Sequence, residues 1–333
     1  MHRSSLRIAC AAALVCIGFA RADVTAFPVL PSKTDFEIHT FDTPHWVYVD
    51  RDILVDHKQG LAQDRHELLL WLTGTGGSGR TAEGFVNLAA ELGYHVISLA
   101  YPDEIPASTC DGDPDPNAFE RFRMAIIQGG NAKMQGGRAL FNVDPPESIE
   151  NRLLKLLVRL QNLRPREQWG QFLDSNGGIK WDSIAVAGQS QGGGHAALIG
   201  IKVRVERVLC FGSPKDYSRR LNMPAAWYSE PSATPKDRFF AFNHVQDVKG
   251  CTPQELYLNL QTLLGPAFGT PARVDSEPYP YHHARVLYTA YPVVTITSVD
   301  GEGAKLAHGS AISTANAERW KQEWTYMLTE GSP

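Results

Sequence analysis

Six short apolar runs constrain the architecture of this chain more than any other feature. They are HELLLWL (66–72), YHVISLA (94–100), WDSIAVA (181–187), VERVLCFG (205–212), DRFFAFN (237–243) and YPVVTITSV (291–299). Each reads as a strand, and most lack the apolar–polar alternation of a strand with one wet face. Between them lie helical patterns: residues 81–92, closed by Gly93; SIENRLLKLLVRLQNL (148–163), with Leu153, Leu156, Leu157 and Leu160 on one stripe; HAALIGI (195–201); TPQELYLNLQTLLG (252–265). A terminal helix from about Ser313 buries Trp320, Trp324, Met327 and Leu328. Strands that alternate with helices and are apolar on both faces imply an α/β fold: a mostly parallel central sheet with helices on both faces. Sites in such sheets form at the C-terminal ends of strands.

The remaining segments fit around that frame. Residues 35–55 show alternation and turn signals and read as an antiparallel hairpin. Residues 101–147 are rich in Pro, Asp and Gly and read as an insertion or long loop. Residues 213–237, with Trp227, Tyr228 and Pro231, read as a small cap over the site. Residues 23–333 form one domain.

The first 22 residues read as a Sec-type leader. Arg3 and Arg7 give a basic start, residues 8–20 an apolar stretch too short to span a bilayer, and Ala20-Arg21-Ala22 a small-residue cleavage site. The mature chain then starts at Asp23 in a secreted or periplasmic location. Loss of Arg3, Arg7 and Arg21 takes the net charge from −4 to −7. An acidic surface without a Lys/Arg cluster is unsuited to nucleic acid. No later run is long enough for an integral membrane segment, and nothing in the sequence reads the oligomeric state.

Cys10 and Cys16 leave with the leader. Cys210 falls in an apolar strand, as a buried thiol does. Cys110 and Cys251 lie in polar segments, and an oxidising compartment makes them expected disulfide partners. No Cys/His spacing fits a metal site.

Two glycine motifs carry the chemistry. Gly74-Thr-Gly76-Gly-Ser-Gly79 matches G-x-G-x-x-G after a strand and before a helix, the pattern of a dinucleotide loop. With Arg80-Thr81 it also approaches a P-loop, but arginine does not replace the compact lysine charge there, and an exported protein leaves the nucleotide pool behind. The alternative is a backbone turn that aims an N–H at a developing oxyanion, with Thr75 first and Gly76 second as donor.

Gly188-Gln-Ser190-Gln-Gly192 is a G-x-S-x-G nucleophile elbow at a strand-to-helix junction. The serine stands on a tight turn across which side chains at 188 and 192 would collide. The Gln191 N–H, at the helix start, is the second oxyanion donor. A serine hydroxyl needs a base, and the base an orienting acid. Asp247 follows the DRFFAFN strand and is the candidate acid, with Asp237 or Asp275 in reserve. His308 follows the last strand and is the candidate base. His195 reads as a packing residue, and His244 as a neighbour of the acid.

With these parts the chain resembles the α/β-hydrolase superfamily over nearly all of its mature length, and within it exported bacterial serine esterases. The resemblance implies a Ser190–His308–Asp247 triad, an acyl-enzyme, no cofactor and a small-molecule or polymeric ester as substrate. A serine peptidase, an acyltransferase or a non-catalytic hydrolase-like binding protein are the alternatives. Thr-Gly-Thr-Gly-Gly stands where hormone-sensitive lipases carry His-Gly-Gly-Gly. In this scheme a Cys110–Cys251 bridge would brace the acid loop.

Overall fold

Nine strands hydrogen-bond into one twisted sheet in a computed structural model that describes residues 23–51, 64–133 and 139–330. The leader read at 1–22 lies outside the described residues. In chain order the strands are β1 (Val24–Val29), β2 (His45–Asp50), β3 (Leu68–Leu72), β4 (His95–Leu99), β5 (Gly130–Lys133), β6 (Ala139–Val143), β7 (Ile184–Gln189), β8 (Arg207–Phe211), β9 (Tyr217–Ser218), β10 (Met223–Pro224), β11 (Phe239–His244), β12 (Ala272–Arg273) and β13 (Val286–Thr289). The large sheet runs β1-β2-β4-β3-β7-β8-β11-β13-β12; β5-β6 and β9-β10 pair separately. From β4 onward every pairing in the large sheet is parallel. β1 and β2 are antiparallel additions at one edge.

The helices are α1 (Glu83–Glu91), α2 (Ala118–Gln128), α3 (Ile149–Leu163), α4 (Gln191–Lys202), α5 (Pro253–Leu264), α6 (Glu302–Gly309) and α7 (Ala317–Thr329). The pleat of β3 shows why its run is wholly apolar. Leu68, Leu70 and Leu72 face a core shared with α2, α3, α4 and α5. Leu69 and Trp71 face the opposite core, filled by α1 and α7. Helix starts follow local chemistry: the Ser148 hydroxyl accepts the Asn151 N–H, and Thr252 and Glu255 form a reciprocal capping box.

Several segments depart from the sequence reading. The edge hairpin is made by β1 and β2, with Val24 opposite Asp50 and Val29 opposite His45. Residues 35–44 connect the strands instead, because their carboxylates capture backbone donors: Asp42 takes the Ser32 N–H and Asp35 the Glu37 N–H. Residues 52–55 of the expected hairpin lie outside the described residues.

The last strand is Val286–Thr289, not 291–299. Asp275 accepts from the Thr289 hydroxyl and the Ala290 N–H and ends the ladder, and Val293 beyond it is 91 % exposed.

The 101–147 segment holds α2 and the β5–β6 pair rather than loop alone. The 213–237 segment does not overhang the site with its aromatics. Trp227 and Tyr228 are buried in the core with α5, their rings 4.1 Å apart.

The expected disulfide is absent. Cys110 and Cys251, like Cys210, are free and buried. Both pack within the larger apolar core, where Cys110 Sγ lies 3.7 Å from the Ala118 carbonyl. Burial pushes each thiol up to about 12, so they behave as small apolar fillers.

Candidate active site

Segments at the C-terminal ends of β3, β4, β7, β8, β11 and β13 converge on one cavity of about 550 Å³. Its wall is set by the turn between β7 and α4. There Ser190 is held at φ 55°, ψ −118°, a region L-residues rarely occupy. The turn is over-determined by its surroundings. The Ser190 N–H donates to the Phe211 carbonyl at 2.8 Å. A Cβ at Gly188 would lie 2.4 Å from the Gly192 carbonyl carbon, and one at Gly192 would lie 2.1 Å from the Leu72 oxygen. Both glycines are therefore required for backbone-to-backbone approach. Asp247 follows β11 and His308 follows β13, and the strand order places both at the same end of the sheet as Ser190. The chain has the α/β-hydrolase fold.

No family model matches the chain, and no curated protein matches it. Solved structures with a similar chain course include TT1662 from Thermus thermophilus (13 % identity, 92 % of this chain and 98 % of that one, TM-score 0.41). A bacterial heroin esterase is similar at 16 % identity over 92 % and 84 % of the two chains, TM-score 0.41. Thermogutta terrifontis esterase 2, phosphorylated by paraoxon, is similar at 12 % over 92 % and 95 %, TM-score 0.42. At these values the likeness adds nothing to the geometry of the site itself.

Asp247 is the hub of the site. It sits in the turn after β11, fully buried, and its Oδ2 accepts His308 Nδ1 at 2.9 Å. Its Oδ1 accepts the Lys249 N–H at 3.1 Å. Lys215 Nζ reaches the same Oδ2 at 2.8 Å. Burial alone would raise this carboxyl, but Lys215 and then His308 outweigh it and hold it at about 2. Asp247 is thus ionised at neutral pH. His308 Nδ1 faces this carboxylate as the donor, so in the neutral ring Nε2 carries the lone pair. His308 lies on α6 and, with Ser190, lines the cavity.

His244, the last residue of β11, is bonded elsewhere. Its Nδ1 accepts the Gln246 N–H at 3.0 Å and its Nε2 faces the Pro292 carbonyl at 3.1 Å, which fixes the turn that presents Asp247. Asp275 is occupied by Thr289 and Ala290, as described, and Asp237 is exposed. His195 is fully buried edge-on to Tyr101, and burial drives its pKa well below the usual value, in keeping with a packing role.

Of the expected oxyanion donors, the Gln191 and Thr75 N–H groups have no partner among the described residues. Gln191 is the first residue of α4, and its side-chain Oε1 accepts the Thr75 hydroxyl and the Ala107 N–H, both at 3.0 Å. One amide therefore ties the elbow to the glycine loop. The Gly76 N–H is already committed to the Asp103 carbonyl at 3.2 Å, which removes it as a donor. Gly77 is likewise held, by the Gly74 carbonyl at 2.9 Å. The Asp103 carboxylate accepts the Thr73 hydroxyl, and burial lifts it to about 6.

Three residues escaped the sequence reading. Lys215 lies in SPKDY, with no motif to mark it. Arg123 of α2 and Asp216 form a buried bidentate pair, at 2.6 Å for Nε and 2.5 Å for Nη2, and Arg123 Nη1 donates to the Gln191 carbonyl at 2.9 Å. Only the fold brings residues 123, 191 and 216 together. A basic residue on the apolar face of the FERFRMAII pattern was the available signal for Arg123.

Proposed function

We propose that this chain is a serine hydrolase that cleaves carboxylic esters. The observation that carries the reading is Ser190, strained at the elbow and sharing one cavity with a His308 that is hydrogen-bonded to a buried, ionised Asp247. In this reading Ser190 Oγ attacks the carbonyl carbon while His308 Nε2 takes its proton. The Gln191 and Thr75 N–H groups receive the oxyanion, and Asp247 holds the imidazolium. The imidazolium then protonates the leaving alcohol, giving an acyl-enzyme. Water, deprotonated by the same nitrogen, releases the acid and restores Ser190.

The wall of the cavity argues for small, hydrophilic esters. Thr75, Thr81, Ser108, Gln189, Lys249 and Asp300 line it, and Pro106 is its largest apolar lining residue among those described. A methylene gains about 0.8 kcal/mol on full burial, and with Pro106 and Ala107 as the apolar side chains available to close around it, a long acyl chain gains less than that here. Export by the leader at 1–22 belongs to the same proposal, and mass spectrometry of the mature N-terminus at Asp23 tests it.

Hydrolysis of p-nitrophenyl acetate by the wild type, with loss of at least about 10³-fold in Ser190→Ala, is the expected result. Equal rates for the two proteins, or fluorophosphonate labelling at another residue, would overturn the assignment. Rates that rise from acetate to octanoate would overturn the hydrophilic substrate class.

A further inference from the structure

The cation beside the acid has no part in the chemistry described so far. Lys215 lies between β8 and β9, its side chain only 9 % exposed, and Nζ sits 2.8 Å from Asp247 Oδ2, the oxygen that also receives His308. A second Nζ bond, 2.6 Å to the Lys249 carbonyl, ties the same ammonium to the loop that carries the acid. The backbone on either side is held as well: Asn259 donates to the Pro214 carbonyl, and the Asp216 N–H donates to the Tyr228 hydroxyl. The lysine is therefore a built part of the site and not a surface side chain that happens to reach it.

We propose that Lys215 is the permanent counter-ion of the Asp247–His308 pair, a positioning residue that keeps the pair free of its extra proton into the acid range. The inference rests on the hydrolase reading for its catalytic consequence, though not for its electrostatics. While the imidazole is neutral, Asp247 would otherwise be a lone charge in the core. A fixed cation 2.8 Å away supplies the missing charge. The same cation opposes any second positive charge on the pair, wherever a proton is shared between carboxylate and ring. The base thus stays available at lower pH than an unassisted pair would permit.

Four of the other charged groups near the pair are matched in two ion pairs. Lys249 Nζ meets Asp300 at 2.8 Å at the rim, and Arg123 meets Asp216 across the cavity. Glu302 and Lys305 lie on the same helix as His308. Cys251, on the acid loop, is held neutral by burial, and the ring of His244 is engaged by Gln246 and Pro292. Lys215 is the cation in direct contact with the carboxylate.

The test compares wild type with Lys215→Met and Lys215→Arg. In Lys215→Met the acid limb of kcat/KM should move up by about one pH unit, the effect of removing one nearby charge. Lys215→Arg should keep the limb within a few tenths of a unit. A parallel titration of the His308 ring by NMR in ¹⁵N-histidine-labelled protein, assigned with His308→Gln, needs no turnover. If Lys215→Met fails to fold, Lys215→Gln is read in the same way. An unmoved limb and an unmoved ring titration would overturn the proposal, whatever happens to the plateau rate. A shifted ring titration in a protein that cleaves no ester would sustain the counter-ion and sink the hydrolase reading instead.

Discussion

Replacing Gly192 by alanine tests whether the elbow and the glycine loop act as one oxyanion site. The new Cβ would lie 2.1 Å from the Leu72 carbonyl oxygen and 2.4 Å from that of Thr73. Cβ atoms essentially never approach heavy atoms within 3.0 Å, so the helix start and the end of β3 must separate by about 1 Å. Neither wall can yield cheaply. Leu72 closes the central strand pairing, opposite Gly188 and Leu99, and α4 is packed on β7 and β8. The Gln191 N–H rides on one wall and the Thr75 N–H on the other. A misplacement of about 1 Å at such donors costs roughly 10²-fold in rate. Overpacking costs about 1–3 kcal/mol of stability. The expected result is a folded protein with a melting temperature several degrees lower. Its kcat for p-nitrophenyl acetate should fall about 10²-fold or more, with much less change in KM. A kcat within about threefold of wild type in a folded Gly192→Ala protein would refute the claim that backbone proximity sets the oxyanion geometry.

Two further predictions concern buried charge. Arg123→Met leaves Asp216 without its bidentate partner in a site where both side chains are about 1 % exposed. It should lower unfolding stability by about 3–5 kcal/mol, read by urea denaturation. A loss under about 1 kcal/mol would show that the pair is not holding the segment together. Asp103 has a folded pKa raised to about 6 by burial, so the folded state binds the proton more tightly than the unfolded chain does. Its contribution to stability is then greatest below its unfolded pKa near 4 and is lost as pH rises through about 6. Relative to Asp103→Asn, wild type should therefore gain stability as pH falls from about 7 to about 4. Parallel stability curves for the two proteins would contradict this.

Much of this fold is legible in sequence because its central strands are buried on both faces. LLLWL and VLCF contain nothing that solvent could want, and several such runs between helices call for a mostly parallel sheet covered on both faces. Ser190 and Asp247 each come directly after a strand that the structure also has, whereas His308 was placed by a strand at 291–299 that is not formed and lies instead on α6, 19 residues past Thr289. Misreadings arose where local chemistry competes with an apolar pattern. YPVVTITSV has strand composition, yet Asp275 ends the ladder at Thr289 and leaves Val293 in water. Trp227 and Tyr228 look like cap aromatics, but their polar ends serve Asp216: the indole N–H donates to its carboxylate, and the phenol accepts its backbone N–H. Cys110 and Cys251 looked like loop thiols because polar residues surround them in sequence. Burial is a property of the folded chain, and neither cysteine carries a local mark of it. Lys215 was unreadable in principle, because its meaning depends on a carboxylate 32 positions away.

The contact from Arg123 to the Gln191 carbonyl changes the standing of the long segment between β4 and α3. That stretch has the composition of a tolerant surface insertion, the sort of region that families lengthen and shorten freely. Here it delivers a guanidinium to the carbonyl of Gln191, beside the Ser190 turn, and neutralises a carboxylate contributed by a different loop. A shortened descendant could not lose the segment by simple deletion. It would have to shed Asp216 in the same step, since a charge stranded in that core is costlier than the pair. Loss of the part of 101–147 that carries Arg123 is therefore expected to require a change at position 216, a constraint that runs between two loops with no sequence motif in common.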